Sequence, residues 1–322
     1  MKKRVLCVLL TITLLTGCSN SSDAIIPYED SLNLHQNNLV NLSNIQRGDL
    51  FAKDLTVISK DFNSPKDNNL NSLSSLLINV TDQETIYSNN VHERLYPASI
   101  TKIATALVVL KHADLTETVT ISKNASNITE AGAKLCGFKE GDQIVLKDLL
   151  TSLLVYSGND AGIAIAEHVA GSVSAFADMM NEEVRKIGAV HTNFLNPHGL
   201  HDDDHYTTGY DLYLIFNELL QYQEFLDIIK LGEYTLTYKD NSGKEVKKEF
   251  SSTDRYLTGA ANVPKGITVL GGKTGTTFKA GSCLILASKD KDDKVYISLV
   301  LKADSSDNLF YQMTYLLELI SK

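Results

Sequence analysis

The sequence predicts an α+β fold, an antiparallel β-sheet flanked by helices with an inserted mainly helical lobe. Three observations carry this. Short strand-like runs come first, at Ser75–Val80 and Glu84–Ser88. A helix-rich middle then extends to about Gln223, and strands return at Glu233–Tyr238, Thr268–Thr276, Gly281–Ser288 and Val295–Leu301. A final amphipathic run, Asp307–Ile320, reads as a closing helix. Helices gathered between two groups of strands, rather than alternating with them, point to α+β. The polar run Lys289–Lys294 reads as a hairpin joining the last two strands.

Taken in order, the chain opens with Lys2, Lys3 and Arg4 ahead of an apolar run, Val5–Leu15. That is a secretory signal, too short to span a membrane. It ends in Leu15-Thr16-Gly17-Cys18, which resembles the bacterial lipobox, so residues 1–17 read as a lipoprotein signal peptide and Cys18 as the lipidated residue. Acyl chains on one residue, at ~0.8 kcal/mol per buried CH2, can hold a domain at a membrane. Residues 18–49 are rich in Ser, Asn, Asp and Gln and read as a polar tether. Residues 50–322 read as one folded unit, with a polar surface loop at Ser64–Asn71. After loss of residues 1–17 the chain keeps 27 basic against 39 acidic residues, a formal charge of −12. That excludes nucleic acid as a natural partner.

The first helix of the middle follows Pro97, a residue suited to a helix start. Ile103, Ala106, Leu107 and Leu110 give it one buried face. Ser99 and Lys102 are three apart and share a face. A serine hydroxyl is a weak nucleophile until a neighbouring base takes its proton. Lys102 can be that base where burial and a nearby cation lower its pKa. Next, the apolar helical run Leu146–Tyr156 stops at Ser157-Gly158-Asn159-Asp160, a turn before a second helix over Ala161–Ala170 with Asp160 as its N-cap. Such a turn can present Ser157 as a proton relay and Asn159 as a holder of a substrate carbonyl and of Lys102. Finally, Thr268–Thr277 is a strand carrying Gly271, Gly272 and Gly275, and glycine within a strand marks close approach by a ligand. An extended peptide can pair along it. Lys273 and Thr274 would meet a terminal carboxylate, and the N–H of Thr276 would join that of Ser99 as an oxyanion hole. Each string alone has an ordinary structural explanation; their order and contexts together point to acyl transfer on a peptide.

The three strings Ser99-Ile100-Thr101-Lys102, Ser157-Gly158-Asn159 and Lys273-Thr274-Gly275-Thr276 resemble those of the D-alanyl-D-alanine carboxypeptidases, low-molecular-mass penicillin-binding proteins of the β-lactamase/transpeptidase-like superfamily. The stretch Asn196-Pro197-His198-Gly199-Leu200-His201, running into Tyr206-Thr207-Thr208, is similar too, and the likeness extends from about residue 74 to the end. The resemblance implies the β-lactamase/transpeptidase-like fold, peptidoglycan stem peptides as substrate and no cofactor. It implies attack by the first serine on the D-Ala–D-Ala bond, loss of the terminal D-Ala, and hydrolysis of the acyl-enzyme. It further implies that penicillins and other β-lactam antibiotics leave a stable adduct on that serine. Two alternatives are a β-lactamase and a non-catalytic penicillin- or cell-wall-binding module. Against the first, the middle string has glycine in place of aspartate, and Glu167 sits in a helical run instead of a loop. The second is disfavoured by three intact motifs.

Two features remain. His198, His201 and His205 crowd one loop with Asp202, Asp203 and Asp204. No regular spacing supports a metal site there, so the loop reads as a cap for a helix near Asp211 and a wall of the cleft. Cys136 and Cys283 remain in the mature chain, and an exported protein could join them; Cys283 lies in an apolar run and reads rather as a buried small hydrophobe.

Overall fold

The structure, a computed structural model, describes residues 55–63 and 69–321. The signal peptide, Cys18 and the tether expected over residues 1–49 lie outside the described residues, as does most of the Ser64–Asn71 loop.

The main sheet has five antiparallel strands in the order β2-β1-β9-β8-β7. Strands β1 (Ser74–Asn79) and β2 (Glu84–Asn89) form the first hairpin. Strands β7 (Thr268–Thr277), β8 (Gly281–Lys289) and β9 (Val295–Ala303) complete the sheet, with β1 pairing to β9 across more than 200 residues of chain. The hairpin at 290–294 turns where the polar run placed it, closed by Asp290 accepting from the N–H groups of Asp292 and Lys294.

Alternation along these strands buries both faces. Leu76, Ile78, Ile285, Ile297 and Leu299 point toward the helical lobe. Leu77, Leu284, Leu286, Tyr296 and Val300 point the other way. There they meet Leu309, Phe310, Met313, Leu316 and Leu317 of the last helix, Ser306–Leu319. A fully buried β-branched or leucyl side chain contributes roughly 1.5–3 kcal/mol.

The helical lobe runs through α1 (Lys102–His112), the short α2 (Lys123–Ser126), α3 (Leu146–Thr151), α4 (Asn159–Ala170), α5 (Val173–Lys186), α6 (Gly209–Leu219) and α7 (Gln223–Ile229). The last helix is then α8. α1 is buried at eight consecutive positions from Lys102 to Val109, which makes it the central helix of the lobe.

Four local expectations change. The run Glu233–Tyr238 is a strand, β5 (Glu233–Lys239), but it belongs to a second, four-stranded sheet in the order β3-β4-β5-β6. The other strands of that sheet, β3 (Thr118–Thr120), β4 (Gln143–Val145) and β6 (Glu245–Ser251), are short or lysine-rich and carry little periodic signal. Ser99 lies in a 3-10 turn, Ala98–Thr101, so α1 begins only at Lys102. Leu146–Tyr156 is not uniform: its second half, Ser152–Tyr156, is a π-turn, a distortion common at functional sites. Asp160 is not the cap of α4. Gly158 holds that position, and the carboxylate of Asp160 is committed elsewhere. Cys136 and Cys283 are buried and unpaired. Among the described residues no helix is long and apolar enough to cross a membrane.

Candidate active site

Lys102 is fully buried at the start of α1, and its Nζ donates to three oxygens. These are Ser99 Oγ at 2.8 Å, Asn159 Oδ1 at 2.8 Å and the carbonyl of His198 at 2.6 Å. Two of the three acceptors, an amide and a peptide carbonyl, cannot donate in return. They fix two of the amine's hydrogens and aim its remaining tetrahedral position at Ser99 Oγ. When the amine is neutral that position is a lone pair facing the hydroxyl proton, the geometry a general base requires. Burial, and then the charge of Lys273, hold the Lys102 pKa well below its usual range.

Lys273 is also buried, on β7. It donates to Ser157 Oγ at 3.0 Å and to the carbonyl of Thr274 at 3.0 Å. Burial brings its pKa down to about 7, with the charge of Lys134 next in weight. Ser157 therefore sits beside one lysine, while Asn159 of the same turn contacts the other.

The turn is shaped for this. Ser157 ends the π-turn with φ +75°, a left-handed conformation unusual for serine. Gly158 has ordinary φ, yet a Cβ there would lie 2.2 Å from Cys136 Sγ. Only a hydrogen fits, which is why this chain has glycine between Ser157 and Asn159. The carboxylate of Asp160 accepts from the N–H groups of Cys136, Gly137 and Phe138. The Asn159 N–H donates to the Lys134 carbonyl at 2.7 Å. Segment 134–138 is thereby clamped onto the Ser157–Asn159 turn.

The Ser99 turn is held from both sides. A Cβ at Gly275 would lie 2.9 Å from the Pro97 carbonyl and 2.9 Å from Ser99 N, so β7 packs directly on the turn. On the other side a Cβ at Gly199 would lie 1.8 Å from the Ala98 carbonyl. Ala98 has φ +47°, costly for a residue with a Cβ. It is retained by a chain of hydrogen bonds. The Leu195 N–H donates to His205 Nδ1, which leaves the ring proton on Nε2. Nε2 donates to Thr101 Oγ1 at 2.8 Å, and Thr101 Oγ1 donates to the Ala98 carbonyl at 2.8 Å. Burial keeps His205 neutral, lowering its pKa to about 4, and that of His198 to about 3.

The histidine-rich loop thus buttresses the Ser99 turn and supplies a carbonyl to Lys102. Thr208 caps α6, and Asp211 within that helix reaches back to Thr192 and the His191 N–H. Among the described residues no cluster of three or more His, Cys, Asp or Glu side chains is arranged to hold a metal ion.

A cavity of about 330 Å³ opens above these residues. Ser99, Ser157, Asn159, Thr274, Gly275 and Thr276 line it. Lys102 and Lys273 lie just beneath its surface. Gly199 and Leu200 of the Asn196–His201 stretch wall it, as expected of that loop, and Lys134 and Thr253, which no motif singled out, line it too. Thr274 Oγ1 donates to Thr253 Oγ1. Glu167 is turned away, accepting from Ser122 and Asn124.

Residues 61–305 match the family model for D-alanyl-D-alanine carboxypeptidase. The chain belongs to the D-alanyl-D-alanine carboxypeptidase family. Within that family it is 31% identical over 252 residues to the carboxypeptidase DacF of Bacillus subtilis, covering 76% of this chain and 61% of the relative. It is 34% identical over 252 residues to DacC of Escherichia coli, covering 75% and 59%. The chain therefore spans about three fifths of the length of these curated relatives. Among solved structures, the Streptomyces K15 DD-transpeptidase superposes with a TM-score of 0.72 at 26% identity, over 78% of this chain and 97% of that one. Penicillin binding protein 5 from Haemophilus influenzae gives 0.69 at 27%, over 79% and 71%. The fold of this D-alanyl-D-alanine carboxypeptidase family member is accordingly the β-lactamase/transpeptidase-like one, as its motifs implied.

Proposed function

We propose that this protein is a serine D-Ala-D-Ala carboxypeptidase acting on peptidoglycan stem peptides, and that residues 50–322 form its catalytic domain. One observation carries the reading: a buried amine, held by two acceptors that cannot donate, faces the Ser99 hydroxyl at 2.8 Å. In the reaction, neutral Lys102 takes the Ser99 proton as Oγ attacks the carbonyl carbon of the D-Ala–D-Ala bond. The oxyanion that forms lies against the N–H groups of Ser99 and Thr276, such donors contributing roughly 3–4 kcal/mol each. The carbon–nitrogen bond then breaks. The departing amine receives a proton through Ser157, between Lys102 and Lys273, and D-alanine leaves. Lys102, neutral again, takes a proton from the water that attacks the ester and returns it to Ser99 Oγ as the ester bond breaks. Asn159 holds Lys102 and the substrate carbonyl, Lys273 and Thr274 recognise the terminal carboxylate, and Gly275 admits the peptide backbone. No metal or cofactor takes part in these steps.

A β-lactam presents the same carbonyl and carboxylate, so a penicillin acylates Ser99 as well. We further propose that the protein is exported, that residues 1–17 are removed, that Cys18 carries lipid, and that residues 18–49 tether the domain to the membrane facing the cell wall. The Leu15-Thr16-Gly17-Cys18 string supports this. Mass spectrometry of a pentapeptide incubated with the purified protein should show loss of one alanine. Fluorescent penicillin should label the protein, and Ser99→Ala should abolish both results. Labelling that survives the substitution overturns the assignment of the nucleophile.

A further inference from the structure

Lys102 and Lys273 are 0% and 1% exposed and lie under the cavity rather than on its wall. Among the described residues that line the cavity, Lys134 is the one with a cationic side chain. Its carbonyl is anchored by the Asn159 N–H, so its backbone is fixed relative to the Ser157–Asn159 turn. Its Nζ lies 4.0 Å above the centre of the Tyr156 ring. Tyr156 immediately precedes Ser157 and packs on Phe250 at 4.7 Å, and the chain runs from Phe250 to Thr253. Its charge is, after burial, the main influence on Lys273, which donates to Ser157 and to the Thr274 carbonyl, so the ammonium stands on the Lys273 side of the cavity. No carboxylate among the described residues pairs with it, and the ring face leaves its hydrogens free. Beside it, Thr274 Oγ1 donates to Thr253 Oγ1, so the Thr253 hydroxyl retains its own hydrogen for a ligand.

We propose that Lys134 is a specificity-determining residue whose ammonium pairs directly with the C-terminal carboxylate of the bound peptide, with the Thr253 hydroxyl as a second donor and Lys273 one layer behind. This rests on the carboxypeptidase reading and deepens it. Lys273 has its contacts committed to Ser157 and Thr274 and is largely shielded from the cavity, so it acts on the carboxylate as a background charge. Lys134 makes contact. An ammonium–carboxylate hydrogen bond in a partly dehydrated cleft is about twice as strong as a neutral one. The cavity thereby selects peptides with a free C-terminus over those whose terminus is blocked.

The test uses the Ser99→Ala protein, which binds without reacting, and calorimetry with two ligands. One is an acylated peptide ending in D-Ala-D-Ala; the other is the same peptide as its C-terminal carboxamide. The ratio of the two Kd values should fall roughly tenfold in Lys134→Gln, a loss typical of one charge-assisted contact. Lys134→Arg should restore much of the ratio. A Lys134→Gln protein that keeps the full preference, or that weakens both peptides equally, overturns the proposal, the second outcome marking a purely structural role. If the Ser99→Ala protein with Lys134 intact binds neither peptide, the carboxypeptidase reading itself falls and takes this one with it.

Discussion

Gly158 shows how one hydrogen atom can govern an active site. Its φ is ordinary, so the demand is spatial: Cys136 Sγ occupies the place a Cβ would take. Gly158→Ala must push either the thiol or the turn that carries Ser157 and Asn159. Overpacking of this kind costs typically ~1–3 kcal/mol. We expect a lower melting temperature and slower penicillin acylation. Removing the sulfur as well, in Gly158→Ala/Cys136→Ala, should recover part of both losses, because the Cys136 Cβ lies at an ordinary 3.5 Å. A double-mutant cycle by thermal melts checks this, and strict additivity would contradict it. The serine and lysine of the first motif were legible from sequence because three-residue spacing on a helical segment fixes their proximity. The spatial role of Gly158 was not legible, since its neighbour Cys136 lies 22 positions earlier.

Among the elements, local pattern and long-range pairing divide what the sequence could disclose. Strands β8 and β9 and helix α1 are long, apolar and buried, so their apolar pattern marks them, while β7 was legible through its glycines. β6, with the sequence Glu-Val-Lys-Lys-Glu-Phe-Ser, buries only Phe250 fully and owes its form to pairing with β5. β3 and β4 have three residues each and exist by the same kind of pairing. In the site, Lys134 and Thr253 were invisible for a related reason: contacts between distant segments bring them to the cavity. For Lys134 the main tie is the first turn of α4, where Asp160 binds three N–H groups of segment 136–138. Hydrogen bonds to a charged group are worth roughly 1.5–3 kcal/mol each, with strong overlap when they share one carboxylate. Asp160→Ala should therefore destabilise the protein by about 3 kcal/mol in denaturant titrations and slow acylation, because segment 134–138 loosens with it. A change under about 0.5 kcal/mol would show that the clamp is held by other contacts.

At the scale of the whole molecule, two lysines among the described residues, Lys102 and Lys273, have almost no exposure to water, and this sets a pH signature. Lys273 has a folded pKa of about 7 against an ordinary 10.5, and that of Lys102 is shifted the same way. Between those two values the unfolded chain binds more protons than the folded one, so stability rises with pH. Below about pH 7 the cost of burying the Lys273 charge is present in full. Lys273→Met should accordingly stabilise the fold by about 1–4 kcal/mol near pH 6.5, as replacement of buried charge often does. The advantage should shrink steadily toward pH 9, while acylation is lost. An advantage that does not vary over that range would mean that Lys273 is protonated alike in both states. The protein thus forgoes stability for reactivity, and the turn bearing Ser99 shows how that reactivity is kept in check. That turn is wedged between Gly199 and Gly275, the second of them 176 positions downstream on a strand built late in the chain. A nascent polypeptide that has emerged only as far as α7 holds the attacking alcohol, its amine and that amine's acceptors Asn159 and His198, but lacks the β7 side of the seat, Gly275 and Lys273. The pocket around that alcohol thus cannot close until a strand made late in translation has been laid down.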